Sequence, residues 1–407
     1  VDYHELIYDW NTVAGLEIPP GRKVTLADET LRDGLQNPSV KNPAIEEKLE
    51  ILHLMEALGI ESLDIGLPGA GARAQADALR LAQEIAACRM KIRPYAAART
   101  HENDIRPVAE ISQSAGIAVE VAMFLGSSPI RRLVEDWTVD HLLALTEKAV
   151  KFGVREGLPV VYVTEDTVRT DRDTIKRLYQ TALAHGAKAI VLCDTVGHAT
   201  PQGARSLVAF AVEEIVKPSG QAIRVEWHGH NDRGLSVANS LAAIQGGADQ
   251  VHGAANSLGE RVGNTPIELM LVNLRLMGVI DRDLSRLKEY CETVARATGT
   301  VIPPNYPVIG RDAFRTATGV HAAAIIKAYK KDDALLANSV YSGVPSHLFG
   351  LEQVIEIGPM SGRSNVTYWL EKNGLRATDE VVERIFAAAK QSASVLSEEE
   401  LRALASV

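Results

Sequence analysis

Cysteine, aromatic side chains and positive charge are all in short supply in this chain. Its three cysteines, Cys88, Cys193 and Cys291, are odd in number and none sits in a Cys-x-x-Cys pair. That argues against a disulfide framework and suits a reducing compartment. Acidic residues outnumber basic ones by 52 to 43, and no basic tract or aromatic ladder appears. A general nucleic-acid binder is therefore not expected, although the net charge need not repel an anionic substrate from a cleft, where local fields dominate. No apolar run approaches the ~18 residues of a membrane span. The start, Val1-Asp2-Tyr3-His4-Glu5, is not a signal peptide. A cytoplasmic protein is expected, without nucleic-acid or membrane partners. No Gly-x-Gly-x-x-Gly follows the first strand-like run, which removes the usual dinucleotide-binding reading.

What the chain does have is hydrophobic content and period. Apolar residues make up 46 % of its 407 positions, enough for a large core at a mean hydropathy near zero. Eight short apolar runs, most of them rich in β-branched residues, recur up to about residue 255: Val24–Ala27, Ser62–Ile65, Ile92–Ala97, Ile117–Phe124, Val160–Val163, Ala189–Cys193, Ile223–Trp227 and Gln250–Ala254. Amphipathic stretches separate them, among them Ala44–Leu58, Ala76–Ala87, Val139–Phe152, Asp173–His185 and Gly203–Val216. Strand–helix alternation repeated eight times predicts an α/β fold, a (β/α)8 barrel over residues 1–280. Past Asp281 the alternation stops. Leu284–Thr298, Gly319–Ala328 and Asp379–Ala393 read as helices, with Pro303, Pro304 and Pro307 marking a linker, so residues 281–407 are expected to form a smaller, mainly helical region.

In such barrels the active site lies at the C-terminal strand ends, and that is where the polar residues of this chain gather. His228 and His230 are two residues apart, a spacing that puts both imidazoles on one side of a strand. Asp33 after the first run and Asn264 after the eighth would complete a set of one carboxylate, two imidazoles and an amide oxygen. Such a set suits Mg²⁺, Mn²⁺, Co²⁺, Fe²⁺ or Zn²⁺, with positions left open for a chelating 2-oxo acid whose ketone the ion would polarise. Other readings stand beside these. Asp33 also reads as a helix N-cap, Asn264 as a turn residue, Arg32 as half of a surface ion pair and His321 as a capping histidine. Arg32 at the mouth would pair with a carboxylate or steady an oxyanion, and Glu165 and His321 are candidates for acid–base work.

Taken together, the motifs resemble the DRE-TIM metallolyase superfamily, which includes 2-isopropylmalate synthase, homocitrate synthase, citramalate synthase and hydroxymethylglutaryl-CoA lyase. The matching segments run in the family's order: Glu29-Thr30-Leu31-Arg32-Asp33-Gly34-Leu35-Gln36, Thr164-Glu165-Asp166, Asp194-Thr195-Val196-Gly197, His228-Gly229-His230-Asn231-Asp232, Gly259-Glu260-Arg261-Val262-Gly263-Asn264, Gly319-Val320-His321 and Ser361-Gly362-Arg363. The resemblance implies that Asp33, His228, His230 and Asn264 hold one divalent metal ion. It implies that Arg32 binds the 2-oxo acid and stabilises the enolate, with Gln36 near it and Thr195 on the substrate carboxylate. Glu165 and His321 would be the catalytic pair, with Tyr341 working beside His321. It further implies a Claisen condensation of acetyl-CoA with a 2-oxo acid, and a homodimer whose C-terminal region crosses onto the partner barrel.

The glycine-rich loop at Gly259–Asn264 is similar to the synthase version, while Leu35 is closer to the lyase pattern. Asp64 stands where the signature glutamate follows the second strand. No stretch of the chain matches the leucine-binding regulatory domain of isopropylmalate synthases, so feedback inhibition is not expected. His101 fits the homocitrate enzymes, but Val161 stands where those place an arginine for a distal carboxylate. Arg99, on the neighbouring strand, would be the substitute.

Overall fold

The computed structural model describes residues 6–12, 18 and 21–406; the Val1–Glu5 stretch, read above as unlike a signal peptide, lies outside them. The eight apolar runs pair in parallel and in chain order, and the first closes on the last. The strands are β1 (Thr25–Asp28), β2 (Ser62–Asp64), β3 (Arg93–Arg99), β4 (Glu120–Gly126), β5 (Val160–Glu165), β6 (Ala189–Asp194), β7 (Arg224–Gly229) and β8 (Gln250–Gly253). The barrel is thus the one expected from the alternation.

Several strands reach one or two residues further toward the C-terminal mouth than the apolar runs do. Main-chain pairing continues there although the side chains turn polar, so Asp28, Arg99, Glu165 and Asp194 end their strands rather than start loops. Helices surround the sheet, and several begin where a short polar side chain caps a free N–H. Thr138 accepts from His141 N, Asp171 from Thr174 N and Thr200 from Gly203 N.

Alternation along β7 sorts its residues. Val225 and Trp227 are buried on the outer side, while Glu226 and His228 face the interior. Gly229 follows Trp227 on the outer side, and a Cβ there would lie 3.0 Å from Trp227 Nε1. A side chain there would require the indole to give by a few tenths of an ångström.

The barrel unit comprises Trp10–Arg282 and Glu289–Val301. The helix read from sequence as the start of the C-terminal region, observed at Leu287–Thr298, therefore belongs mostly to the barrel. Its buried face carries Tyr290, Cys291 and Val294. Tyr290 donates to Asp28 Oδ2, and Asn256 Nδ2 donates to the Cys291 carbonyl at 2.9 Å.

The second unit, Asp283–Lys288 and the chain from Ile302 onward, is mainly helical, as expected. Gly319–Tyr329, Arg363–Lys372 and Asp379–Gln391 are its longer helices, joined by a two-stranded parallel ribbon of Arg315–Thr316 and Val354–Ile355. Val366, Leu370, Ile385 and Ala389 form one of its cores and Ala322, Ile325 and Ile326 another. Among the described residues no helix is long and apolar enough to cross a membrane.

Candidate active site

The site is assembled where β1, β7 and β8 end. His228 lies inside β7 and His230 just past it. Asp33 comes from the tight turn after β1, in which Arg32 N and Gly34 N both donate to the Glu29 carbonyl. The Nε2 atoms of His228 and His230 each lie 3.6 Å from Asp33 Oδ2. That is too long for a hydrogen bond and suits donors facing a shared ion. Asp33 precedes a short 3-10 turn but makes no side-chain capping bond, so the N-cap reading falls away.

Asn264 pairs through its backbone with His230 and donates from Nδ2 to Asp33 Oδ2 at 2.8 Å. Its Oδ1 is buried without a partner among the described residues. A buried amide oxygen with nothing to accept from is costly, and here it joins a carboxylate and two imidazoles. The donor chemistry fits a divalent ion. Glycines make room for this packing: a Cβ on Gly259 would sit 2.4 Å from Asn264 Oδ1, and one on Gly263 1.5 Å from the Ser257 carbonyl.

Electrostatics favour the ligand forms. Burial, then the charge of His228, pushes His230 down to about 4, leaving a neutral imidazole with a free lone pair. Burial alone would raise Asp33, but Arg32 and the two imidazoles outweigh it and hold the carboxyl below its usual range. Arg32 lies among three carboxylates: Nε donates to Asp64 Oδ2 at 2.7 Å, while Nη2 is 3.3 Å from Glu29 Oε1 and Nη1 3.5 Å from Asp33 Oδ1. It is a half-buried charge held by partners that are themselves buried, unlike a surface ion pair. Asp64, the last residue of β2, receives that Nε.

A cavity of about 250 Å³ opens above these groups. Arg32, Asp33, Gln36, Glu165, Thr195, His228 and His230 all line it, so seven of the residues singled out from sequence meet there. Burial raises the Glu165 carboxyl above its ordinary value, against the pull of Arg131. The rest of the wall is largely apolar: Tyr95, Ala97, Ala122, Phe124, Val163 and Val191, with the buried Cys193. Burial pushes the Cys193 thiol well up, so it lines the cavity as a small hydrophobe.

Arg99 and His101 are not brought into this cavity. Arg99 is 67 % exposed and forks onto Asp104, with Nε to Oδ2 at 2.7 Å and Nη2 to Oδ1 at 2.9 Å. His101 caps the helix Glu102–Ala115 by accepting from Asn103 N at 3.2 Å. Each is instead engaged locally, Arg99 by Asp104 and His101 by the helix start.

His321 and Tyr341 lie in the C-terminal unit, their rings stacked 4.1 Å apart. Thr318, not His321, is the N-cap of the helix that carries His321. Two of the quoted motifs meet at the start of that helix. Gly319 N donates to the Met360 carbonyl at 3.1 Å, Ser361 Oγ donates to the Ala317 carbonyl at 2.7 Å, and a Cβ on Gly319 would lie 2.8 Å from Gly362 N.

Sequence reading missed Glu29 and His252. Glu29 is 2 % exposed and accepts from His228 Nδ1 at 2.7 Å, from His252 Nδ1 at 3.0 Å and from Tyr95 OH at 3.2 Å. Burial opposes its ionisation, yet the two imidazoles hold it well below the usual carboxylate range. The available signal was His252 itself, a polar residue two positions from Gln250 on the same face of β8.

Comparison with known proteins agrees with this geometry. Residues 23–294 match the HMGL-like family. The probable 2-isopropylmalate synthase of Methanopyrus kandleri is 31 % identical over 91 % of this chain and 70 % of its own length. The 2-isopropylmalate synthase of Halalkalibacterium halodurans is 32 % identical over 94 % of this chain and 73 % of its own length. Among solved structures, the Bacillus subtilis HMG-CoA lyase superposes with a TM-score of 0.57 at 20 % identity, covering 69 % of this chain and 96 % of that one. At that identity the likeness speaks to the fold alone. The barrel, the motifs and the sequence relatives converge: the chain belongs to the HMGL-like family, on its 2-isopropylmalate synthase branch.

Proposed function

We propose that this protein catalyses a metal-dependent Claisen condensation of acetyl-CoA with a 2-oxo acid carrying an apolar side chain, giving a 2-alkylmalate and free CoA. The observation that carries the reading is the juxtaposition of two unlike walls in one cavity. One holds Asp33, His228 and His230 beside Arg32, with Asn264, its Oδ1 unpartnered, packed on Asp33; the other is apolar, from Tyr95 to Val191.

A divalent ion on Asp33, His228, His230 and Asn264 would supply Lewis-acid polarisation of the 2-oxo acid carbonyl. Mg²⁺, Mn²⁺, Co²⁺ and Zn²⁺ all suit those donors. Arg32, held by Asp64, Glu29 and Asp33, presents its guanidinium to the charge that develops on oxygen during condensation. Thr195 and Gln36 line the cavity where the substrate carboxylate is to be held. Glu165, whose proton affinity burial raises, serves with His321 in moving the methyl proton of the thioester. Tyr341, stacked on His321, fixes that ring. Water then hydrolyses the CoA ester. In this reading His321 and Tyr341 are delivered by the C-terminal unit of a second copy, so the working form is a homodimer.

The acceptor class follows from what the cavity lacks. Val161 is buried in the barrel's apolar cluster, and Arg99 points to Asp104. A second carboxylate seated against Ala97, Ala122 and Phe124 would lose its hydration without a partner, which is costly. Thiol release from acetyl-CoA with 2-oxoisovalerate, pyruvate, phenylpyruvate and 2-oxoglutarate tests the proposal. Turnover with an apolar 2-oxo acid and little with 2-oxoglutarate supports it. No release with any of them, or cleavage of a 3-hydroxyacyl-CoA without condensation, overturns it.

A further inference from the structure

The interior of this barrel carries a hydrogen-bonded column of charge below the proposed metal ligands. His228 Nδ1 lies 2.7 Å from Glu29 Oε2, His252 Nδ1 lies 3.0 Å from Glu29 Oε1, and His252 Nε2 lies 2.6 Å from Glu226 Oε2. Glu226 in turn accepts from Arg224 Nε and from Gln250 Nε2, the latter at 2.9 Å. The closing strand pair builds this arrangement, since β1 and β8 register Ala27 against His252 and Glu29 N donates to the Gly253 carbonyl at 2.8 Å.

Donor and acceptor roles within the column follow from its partners. Glu226 faces a guanidinium and an amide N–H, and Glu29 faces Arg32, Tyr95 and Asn264 Nδ2 besides the two rings. Both carboxyls therefore accept on every side and are ionised. His252 has a carboxylate oxygen at each ring nitrogen, so each nitrogen must carry a hydrogen. It is an imidazolium clamped between two anions, and it leaves Glu29 charged and fixed in rotation. Glu29 then takes the Nδ1–H of His228, which sets that ring's tautomer and leaves its Nε2 lone pair on the side of Asp33 and His230.

We propose that Glu29, held in place by His252, is the positioning residue that makes His228 a metal ligand. The inference rests on the reading of Asp33, His228 and His230 as the ligand set. An oriented carboxylate behind a ligating imidazole fixes its direction and raises its basicity, and loss of such a partner typically weakens metal affinity about 10–100-fold.

Co²⁺ titration of the metal-free full-length chain tests this, reading the dissociation constant by calorimetry and the coordination by the visible absorption of the bound ion. The variants are Glu29→Gln, His252→Gln and Asp33→Ala, each checked for folding by circular dichroism. Binding weakened about 10–100-fold in Glu29→Gln and His252→Gln, with a shifted Co²⁺ spectrum, is the expected result. His252 meets the ligand set only edge-on at the His228 ring, with centroids 5.8 Å apart, so His252→Gln carries the test where Glu29→Gln does not fold. Wild-type affinity and an unchanged spectrum in His252→Gln overturn the inference while Asp33→Ala still confirms the site. Loss of binding in His252→Gln with retention in Asp33→Ala also overturns it, and puts the ion on Glu29, His228 and His252 instead. Full binding in all three variants removes the ligand reading itself.

Discussion

Arg32 Nε donates to Asp64 Oδ2 at 2.7 Å from inside a ring of three carboxylates. A planar guanidinium can reach Asp64, Glu29 and Asp33 with separate nitrogens, whereas an ammonium is a single point of charge. Arg32→Lys is accordingly expected to lower kcat/KM by about 10²–10³, as loss of an oxyanion-stabilising donor does. Steady-state kinetics on the preferred 2-oxo acid check it, and a variant within a few-fold of wild type would remove Arg32 from the chemistry.

Much of the barrel was legible because inward and outward residues alternate with helical segments on a regular period. Its mouth was legible because Asp33, Glu165, Thr195 and His228 sit just where the apolar runs stop. The Glu29–His252 contact was not legible. Its partners lie 223 positions apart, and only closure of β1 against β8 brings them together. Arg99 and His101 misled for the opposite reason: Asp104, a few residues on, satisfies Arg99, and the helix start occupies His101. The domain boundary slid because Leu287–Thr298 has an apolar face whose partners, such as Asp28 for Tyr290, come from the far end of the sequence.

The loop that presents Asn264 depends on glycine. Gly259 has φ +143° and an added Cβ would lie 2.4 Å from Asn264 Oδ1. Gly259→Ala is therefore expected to displace that oxygen and weaken divalent-ion binding about tenfold or more, alongside a loss of stability from the strained backbone. Unchanged Mn²⁺ affinity by calorimetry would exclude Asn264 from the ligand set.

Asp28 gives the protein a pH signature. Burial, only partly offset by hydrogen bonds from Thr30 and Tyr290, raises its carboxyl from 3.8 to about 6. The folded state thus holds the proton more tightly than the unfolded chain. This contribution to stability is fully present below 3.8 and is lost as pH rises through about 6. Across that window it amounts to about 3 kcal/mol. In urea unfolding, Asp28→Asn should lack this decline, so its stability should gain on wild type by about that amount between pH 4 and pH 7. Parallel curves would show that Asp28 ionises normally.

Ala97 and Ala122 are the small residues in the apolar wall, and their size sets how much side chain the cavity takes. Ala97→Val adds two methyl groups' worth of volume where a branched acceptor would lie. The ratio of kcat/KM for 2-oxoisovalerate to that for pyruvate should fall about tenfold or more, given that one methylene in such a pocket is worth about 1–3 kcal/mol. A ratio unmoved by the substitution would place the acceptor's side chain elsewhere.

His321 and the metal ligands can be separated by mixing. His228→Ala should lose both the ion and turnover. His321→Ala should keep the ion and 2-oxo acid binding while condensation slows by about 10²–10⁴, the usual worth of a general acid–base group. If the C-terminal unit serves the barrel of a second copy, a hybrid of the two variants contains one barrel with His228 intact that receives His321 from its partner. Random pairing of equal amounts makes half of the dimers hybrid, each with one complete site of two, so about a quarter of wild-type activity should return on mixing and subunit exchange. If each barrel instead used its own His321, every chain in the mixture would carry a lesion in its only site and no activity would return. The two architectures differ in that one number, and neither outcome depends on which 2-oxo acid is used.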